Sequence, residues 1–204
     1  MDRDKLIIFV KNPVAGKVKT RLAKSIGDEN ALEVYCQLLR HTFKVTKSLS
    51  LNKEVWYSRF IPQNDIWNEG SFSKKVQSGE TLGERMVGAF QNAFNEEVDK
   101  VVIIGSDCAE LTSGVIEDAF QELEHSDFVI GPAQDGGYYL LGMRDLHSEI
   151  FEDIAWSTSS VLQETLRKME AAGGSVSILK QLNDVDTVED WNQIKQSLIN
   201  EKSS

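Results

Sequence analysis

The chain is poor in cysteine, histidine and proline. Of its 204 residues two are cysteine and three are histidine. Cys36 and Cys108 can close at most one bridge, and no CxxC or Cys/His ligand spacing is present, which argues against a disulfide framework and a structural zinc site. His41, His125 and His147 share no ligand spacing with one another and read as surface or ordinary interior residues. There are three prolines and no Pro/Gly/Ser-rich linker that would divide the chain. Long hydrophobic runs are also missing. The first, Leu6–Val10, is shorter than the h-region of a signal peptide and far short of the ~20 apolar residues of a membrane span. These absences predict a soluble, cytoplasmic protein with two free thiols and no membrane span.

What is present is ordinary globular composition, with 41% hydrophobic and 26% charged residues. At ~100–200 residues per domain, the length predicts one domain over residues 1–204. The formal net charge is −10, which argues against a general nucleic-acid partner, because counterion release needs a basic surface. The charge is uneven. Residues 1–50 hold ten Lys/Arg against five Asp/Glu, a net of +5, whereas the remainder hold 12 against 27, a net of −15. A basic segment in an acidic protein points to a local anion site.

Strand and helix patterns alternate along the chain. Continuous apolar runs at Leu6–Val10, Val101–Ile104 and Phe128–Ile130 read as strands buried on both faces. Weaker strands are expected at Glu54–Ser58, around Lys75–Gln77, and at Tyr138–Leu141 and Ser175–Leu179. Helical spacing is found over 28–49, 113–124, 158–171 and Asp186–Leu198. A further helix, Thr81–Glu96, opens with Thr81 and Glu84 spaced as a capping box and turns Leu82, Met86, Ala89, Phe90 and Ala93 to the core. Such alternation predicts an α/β fold with a mainly parallel sheet. Tyr138–Leu141 follows Phe128–Ile130 too closely for a helical crossover, so the sheet should be mixed.

Ligands of open α/β sheets bind beyond the carboxyl ends of the strands, and four segments at such ends carry chemistry. Lys11, Lys17, Lys19 and Arg21 place four cations in eleven residues, with Gly16 allowing backbone to approach a ligand. This is either a phosphate cradle or a solvated basic loop, and it is not a Walker A motif. Asp107, at the tip of the strand Val101–Ile104, is either a cap for the next helix or a ligand for Mg²⁺ or Mn²⁺. Cys108 beside it reads as a small buried hydrophobe. Gln134-Asp135-Gly136-Gly137-Tyr138 is either a hairpin turn or an acceptor site in which Asp135 orients or deprotonates a hydroxyl. Asp186 either caps the last helix or adds a second carboxylate to the metal. Trp156-Ser157-Thr158 is an acceptor contact or a helix cap. Trp56, Trp67 and Trp191 read as packing.

Taken together, these segments resemble a known family. Phe9-Val10-Lys11-Asn12-Pro13 with Gly16-Lys17-Val18-Lys19-Thr20-Arg21-Leu22 is similar to the opening of the DUF2064 family, also described as glycosyltransferases. Thr81-Leu82-Gly83-Glu84-Arg85-Met86, Ile104-Gly105-Ser106-Asp107-Cys108, Gly131–Leu140, Trp156-Ser157-Thr158 and Asp184-Val185-Asp186-Thr187 follow in the family's order, over roughly residues 5–195. The departure is Ala109, where the family usually has proline. The resemblance implies the nucleotide-diphospho-sugar transferase superfamily and a GT-A-like, Rossmann-like three-layer sandwich. It also implies a nucleotide held by Lys11, Gly16, Lys17, Lys19, Thr20, Arg21 and Arg85, and a metal at Asp107, shared with Asp186. The implied acceptor pocket comprises Asp135, Gly136, Gly137, Tyr138, Trp156, Ser157 and Thr158.

The expected activity is metal-dependent glycosyl transfer from a nucleoside diphosphate sugar to a small acceptor, with Asp107 and Asp135 as catalytic residues. The first alternative is nucleotidyl transfer of the guanylyltransferase kind, in which a nucleoside triphosphate is the donor and pyrophosphate leaves. The second is a non-catalytic nucleotide-sugar-binding module.

Overall fold

A computed structural model describes residues 3–69 and 71–200. In chain order the elements are β1 (Asp4–Val10), α1 (Thr20–Ile26), α2 (Asp28–Lys47), β2 (Asn52–Tyr57), β3 (Phe72–Val76), α3 (Leu82–Phe94), β4 (Lys100–Ile104), α4 (Ser113–Glu122), β5 (Phe128–Pro132), β6 (Tyr138–Met143), α5 (Val161–Ala171), β7 (Val176–Ile178) and α6 (Val188–Asn200). The strands form one mixed sheet in the order β3-β2-β1-β4-β6-β5-β7. All neighbours are parallel except β6, which runs antiparallel to both β4 and β5. This is the mixed α/β sheet that the spacing of β5 and β6 requires.

Successive strand residues point to opposite faces, so an apolar run buries two layers at once. On β1, Leu6, Ile8 and Val10 join the core under α2 and α4 with Tyr35, Leu39 and Ile116. Ile7 enters the opposite core under α3 and α5 with Phe90, Ala93 and Met169. A third cluster packs Leu22 of α1 and Val185 against Ala31, Val34 and Leu38 of α2.

Several boundaries differ from the pattern-based reading. Helix α1 is not marked by periodicity, because only Leu22 within it is buried. Strand β3 begins at Phe72 rather than near Lys75. The segment before it forms a 3-10 turn, Ile66–Glu69, whose Trp67 stacks edge-on with Phe43 and Phe72 at 5.6 and 5.1 Å. Thr81 caps α3 by accepting from the Glu84 amide, but the Glu84 carboxylate accepts from Glu80 N rather than from Thr81, so the box closes one residue early. Leu82 is 46% exposed instead of facing the core. Helix α5 starts at Val161, without a side-chain cap from Ser160. At α6, Thr187 and Asp190 exchange hydrogen bonds as the cap, which leaves the Asp186 carboxylate free for other partners. Cys36 and Cys108 are free thiols. Trp56 and Trp67 are buried, and Trp191 packs on the third cluster. His41 is buried with Nε2 on the Leu111 carbonyl, and His147 packs on Phe128.

Candidate functional site

The carboxyl ends of β1 and β4 lie side by side, and two side chains hold the loops that leave them. Asn12 is buried; its carboxamide donates to the Phe60 carbonyl and accepts from the Arg59 amide, tying the loop after β1 to the loop after β2. The Tyr35 hydroxyl accepts from Lys11 N at 2.8 Å and lies 3.2 Å from Ser106 Oγ, tying the same loop to the end of β4. Burial, reinforced by the Asp107 charge, pushes the Tyr35 hydroxyl well above its usual pKa, so it stays neutral. The basic loop therefore rests on a fixed base. Gly16 turns with φ +71°, in the left-handed region, and a Cβ there would meet the Asp28 carboxylate at 3.3 Å.

Lys19 is the centre of the site. It has φ 47°, uncommon for a residue with a Cβ, and its side chain is buried to 3% exposure. The Lys19 ammonium lies 3.0 Å from Asp107 Oδ2 and 3.4 Å from Asp186 Oδ1. Burial alone would lower the Lys19 pKa, but Asp107, Asp186 and Asp184 outweigh it and the net shift is upward. Arg21, exposed on α1, reaches Asp186 Oδ2 at 3.2 Å.

Asp184 and Asp186 come from the segment between β7 and α6, which straps across the end of the sheet. Asp184 bridges Cys108, Leu182 bridges Ala133, and Val185 N donates to the Asp107 carbonyl. Asp184 belongs to the segment Asp184-Val185-Asp186-Thr187, in which the sequence assigns a role to Asp186 alone. Burial first, and then the Asp107 charge, push the Asp184 carboxyl up to about 7 against the opposing Lys19. A usable signal was present, because residues two apart in extended backbone share a side and both positions are aspartate. Burial pushes the neighbouring Cys108 thiol up to about 12, the behaviour of a packed hydrophobe.

The opposite wall comes from the β5–β6 turn and the segment before α5. Asp135 Oδ1 accepts from Gly137 N at 2.9 Å, so Asp135 shapes the turn as well as facing the cleft. Gly136 has φ +89°, and a Cβ on it would meet the Ser159 carbonyl oxygen at 2.2 Å. The Gly136 carbonyl in turn accepts from Leu162 N, which locks the turn to the start of α5. Ser157 has φ 67°. Strained backbone of this kind clusters at functional sites, and Lys19 and Ser157 both line the cleft.

The cleft encloses about 640 Å³. It brings together Lys11, Lys17, Lys19, Thr20 and Arg21 on one side with Asp107, Asp135, Gly137, Tyr138, Trp156, Ser157, Thr158 and Asp186 on the others, joined by Asp184 and Leu82. Gly16, Gly136 and Arg85 lie outside its lining. Arg85 instead donates through Nε to the Gly79 carbonyl, holding the turn between β3 and α3. Four cations face four carboxylates, and the cations all come from the loop after β1 and the start of α1. The arrangement can take a polyphosphate on one side and a second small molecule on the other.

A family model described as an uncharacterized protein conserved in bacteria (DUF2064) matches residues 41–158, more than half of the chain. A crystal structure of a Desulfovibrio desulfuricans G20 protein, provisionally named a nucleotide-diphospho-sugar transferase, is 33% identical with a TM-score of 0.87, over 100% of this chain and 96% of that one. The 2-phospho-L-lactate guanylyltransferase of Methanocaldococcus vulcanius is 30% identical over 144 residues, 68% of this chain and 61% of that protein. The chain thus spans under two thirds of the length of that relative. The inositol-1-phosphate CTP transferase of T. maritima is 14% identical at a TM-score of 0.61, over 98% of this chain and 95% of that one, which shows a shared fold.

Proposed function

For this chain, which belongs to the DUF2064 family, we propose nucleotidyl transfer: a nucleoside triphosphate gives its nucleotide to a small phosphorylated acceptor, and pyrophosphate leaves. The observation that carries this reading is the centre at Lys19, where one buried ammonium lies within 3.4 Å of both Asp107 and Asp186 while Lys11, Lys17 and Arg21 stand beside it. So many cations suit the charge of a triphosphate. The guanylyltransferase relatives favour the same chemistry, and guanosine triphosphate is the first donor to test.

An acceptor phosphate oxygen attacks the α-phosphorus, a new P–O–P bond forms, and the bond to the β-phosphate breaks as pyrophosphate departs with the electron pair. The chain's part is positioning and charge stabilisation. Lys17, Lys19 and Arg21 hold the departing phosphates. Among the described residues no group of three His, Cys, Asp or Glu is placed to cage a metal. Two carboxylates on one cation fit Mg²⁺ or Mn²⁺ arriving with the phosphates, since such ions take one or two carboxylates and fill their shell from substrate. Asp107 and Asp186 would hold it, and when bound it would neutralise charge on the pyrophosphate.

Glycosyl transfer from a nucleoside diphosphate sugar is the second reading, favoured by the 33% identity to the Desulfovibrio protein. Asp135 separates the two. A phosphate nucleophile needs no general base, whereas a sugar-accepting hydroxyl does. The test incubates the protein with Mg²⁺ or Mn²⁺, nucleoside triphosphates or nucleotide sugars, and candidate acceptors. Pyrophosphate release that survives Asp135→Asn within a few-fold supports nucleotidyl transfer. Diphosphate release from a nucleotide sugar that falls by about 10²–10⁴ on the same substitution supports the second reading and overturns the first.

A further inference from the structure

Beside the nucleotide cleft lies a second groove of about 850 Å³, between α3 and the segment 148–154. Trp156 is common to the linings of both. Its indole seats in a notch at Gly83, where a Cβ would stand 2.8 Å from Trp156 Cζ2. Trp156, on a loop with exposed neighbours, therefore faces both spaces. The groove floor is apolar, from Val87, Phe151, Ile154 and Trp156. Its charged lining consists of Glu84, Glu152 and Asp153, with no Lys, Arg or His among the lining residues. Glu84 is engaged with the Glu80 amide; Glu152 and Asp153 are exposed.

Building on the nucleotidyl reading, we propose that this groove receives the non-reacting part of the acceptor, and that this part carries no negative charge. The cationic cleft takes the acceptor's phosphate, and the tail passes Trp156 into a space whose charges are all carboxylates. An anionic tail would meet like charges there without a compensating cation. The acceptor class is a phosphomonoester of a hydroxylated or aliphatic group, not a phosphocarboxylate such as the 2-phospho-L-lactate in the name of the guanylyltransferase relatives.

Two variants test this against the wild type. Gly88 lies on the α3 side of the groove, outside the cleft. A Cβ on Gly88 would meet only the Ser78 carbonyl oxygen, at 3.8 Å. Gly88→Leu therefore fills the groove without backbone strain, and leucine suits a helix better than glycine. Glu152→Arg reverses one of the groove's charges. Pyrophosphate release is measured with nucleoside triphosphate, Mg²⁺, and either n-butyl phosphate, a polyol phosphate or 2-phospho-L-lactate; thermal melts check that each variant is folded. Expected are turnover with the uncharged-tail phosphates, a rise of about tenfold or more in their KM with Gly88→Leu at unchanged nucleotide KM, and improved use of 2-phospho-L-lactate with Glu152→Arg. Preference of the wild type for 2-phospho-L-lactate, or a Gly88→Leu variant with unmoved acceptor KM, overturns the assignment and leaves nucleotidyl transfer standing. No pyrophosphate from any pairing overturns nucleotidyl transfer itself, and the acceptor assignment with it.

Discussion

Two lysines of this molecule are buried to almost the same degree, Lys5 with 4% and Lys19 with 3% of its side chain exposed, yet their surroundings are opposite in kind. Lys5, at the start of β1, meets Glu54 of β2 at 3.0 Å and also Glu96 beyond α3. Lys75 of β3 meets the same two carboxylates at 2.9 Å, and Trp56 Nε1 donates to Glu54. Two cations thus balance two anions, and the remaining oxygen of Glu54 is satisfied. Around Lys19 the pairing is not closed off. Asp107, Asp184 and Asp186 surround one ammonium, exposed Arg21 pairs with Asp186, and the group opens onto a cleft. The first cluster is a finished piece of the fold. The second gathers three carboxylates about one buried ammonium, one of them with its pKa raised to about 7, and it faces open space lined by further cations.

Breaking the closed cluster should cost most. Lys5→Met leaves Glu54 buried with only Lys75, and a buried charge deprived of its partner costs about 3–5 kcal/mol of stability. Urea denaturation should give a value near the lower limit, because Lys75 remains. A variant as stable as wild type would show that the cluster is not the structural anchor described. Breaking the open cluster should act on turnover instead. Asp107→Asn is expected to lower pyrophosphate release by about 10²–10³-fold while the melting temperature stays the same or rises; loss of fold would instead place Asp107 with the structural carboxylates.

Asp184 sharpens the comparison through pH. Its folded pKa of about 7 lies above its ordinary value of 3.8, so between these the folded state binds more protons than the unfolded one. Its contribution to stability is fully present below the lower value and is lost as pH rises through the upper. Asp184→Asn should therefore gain on wild type progressively from about pH 4 to 7, read as the difference between two pH series of denaturant unfolding. A constant difference would contradict the burial argument. The smallest effect is expected at the rim. Arg21→Gln removes an exposed ion pair worth about 0–1 kcal/mol, so stability should hardly move, yet the nucleotide KM should rise several-fold if Arg21 grips phosphate.

The sequence made the buried strands legible, because Leu6–Val10 and Val101–Ile104 are apolar on both faces and only a covered strand tolerates that. It blurred β3, expected around Lys75–Gln77 but running Phe72–Val76, because Lys74 and Lys75 face ion partners and alternation is lost. It concealed α1 for a similar reason, with a single buried residue to mark its face. The loop cations, Asp107, Asp135 and Trp156 stood out because charge or aromatic rings at strand ends have few structural uses. Asp184 did not, because its burial depends on a strap folding back onto the loop after β4 from far along the chain, through the Cys108–Asp184 bridge and the Val185–Asp107 backbone hydrogen bond. Arg85 shows the converse: it sits within a motif yet serves the turn at Gly79.

That bridge makes Cys108 a clock. Its thiol is buried next to the strap with a pKa raised to about 12, so an alkylating reagent reacts only when the packing around it opens locally. Cys36, half-buried on α2, offers a reference in the same molecule. The labelling rate at Cys108 relative to Cys36 thus reports local opening where the strap meets the loop after β4, and a ligand that engages Asp186 should slow it without touching either sulfur.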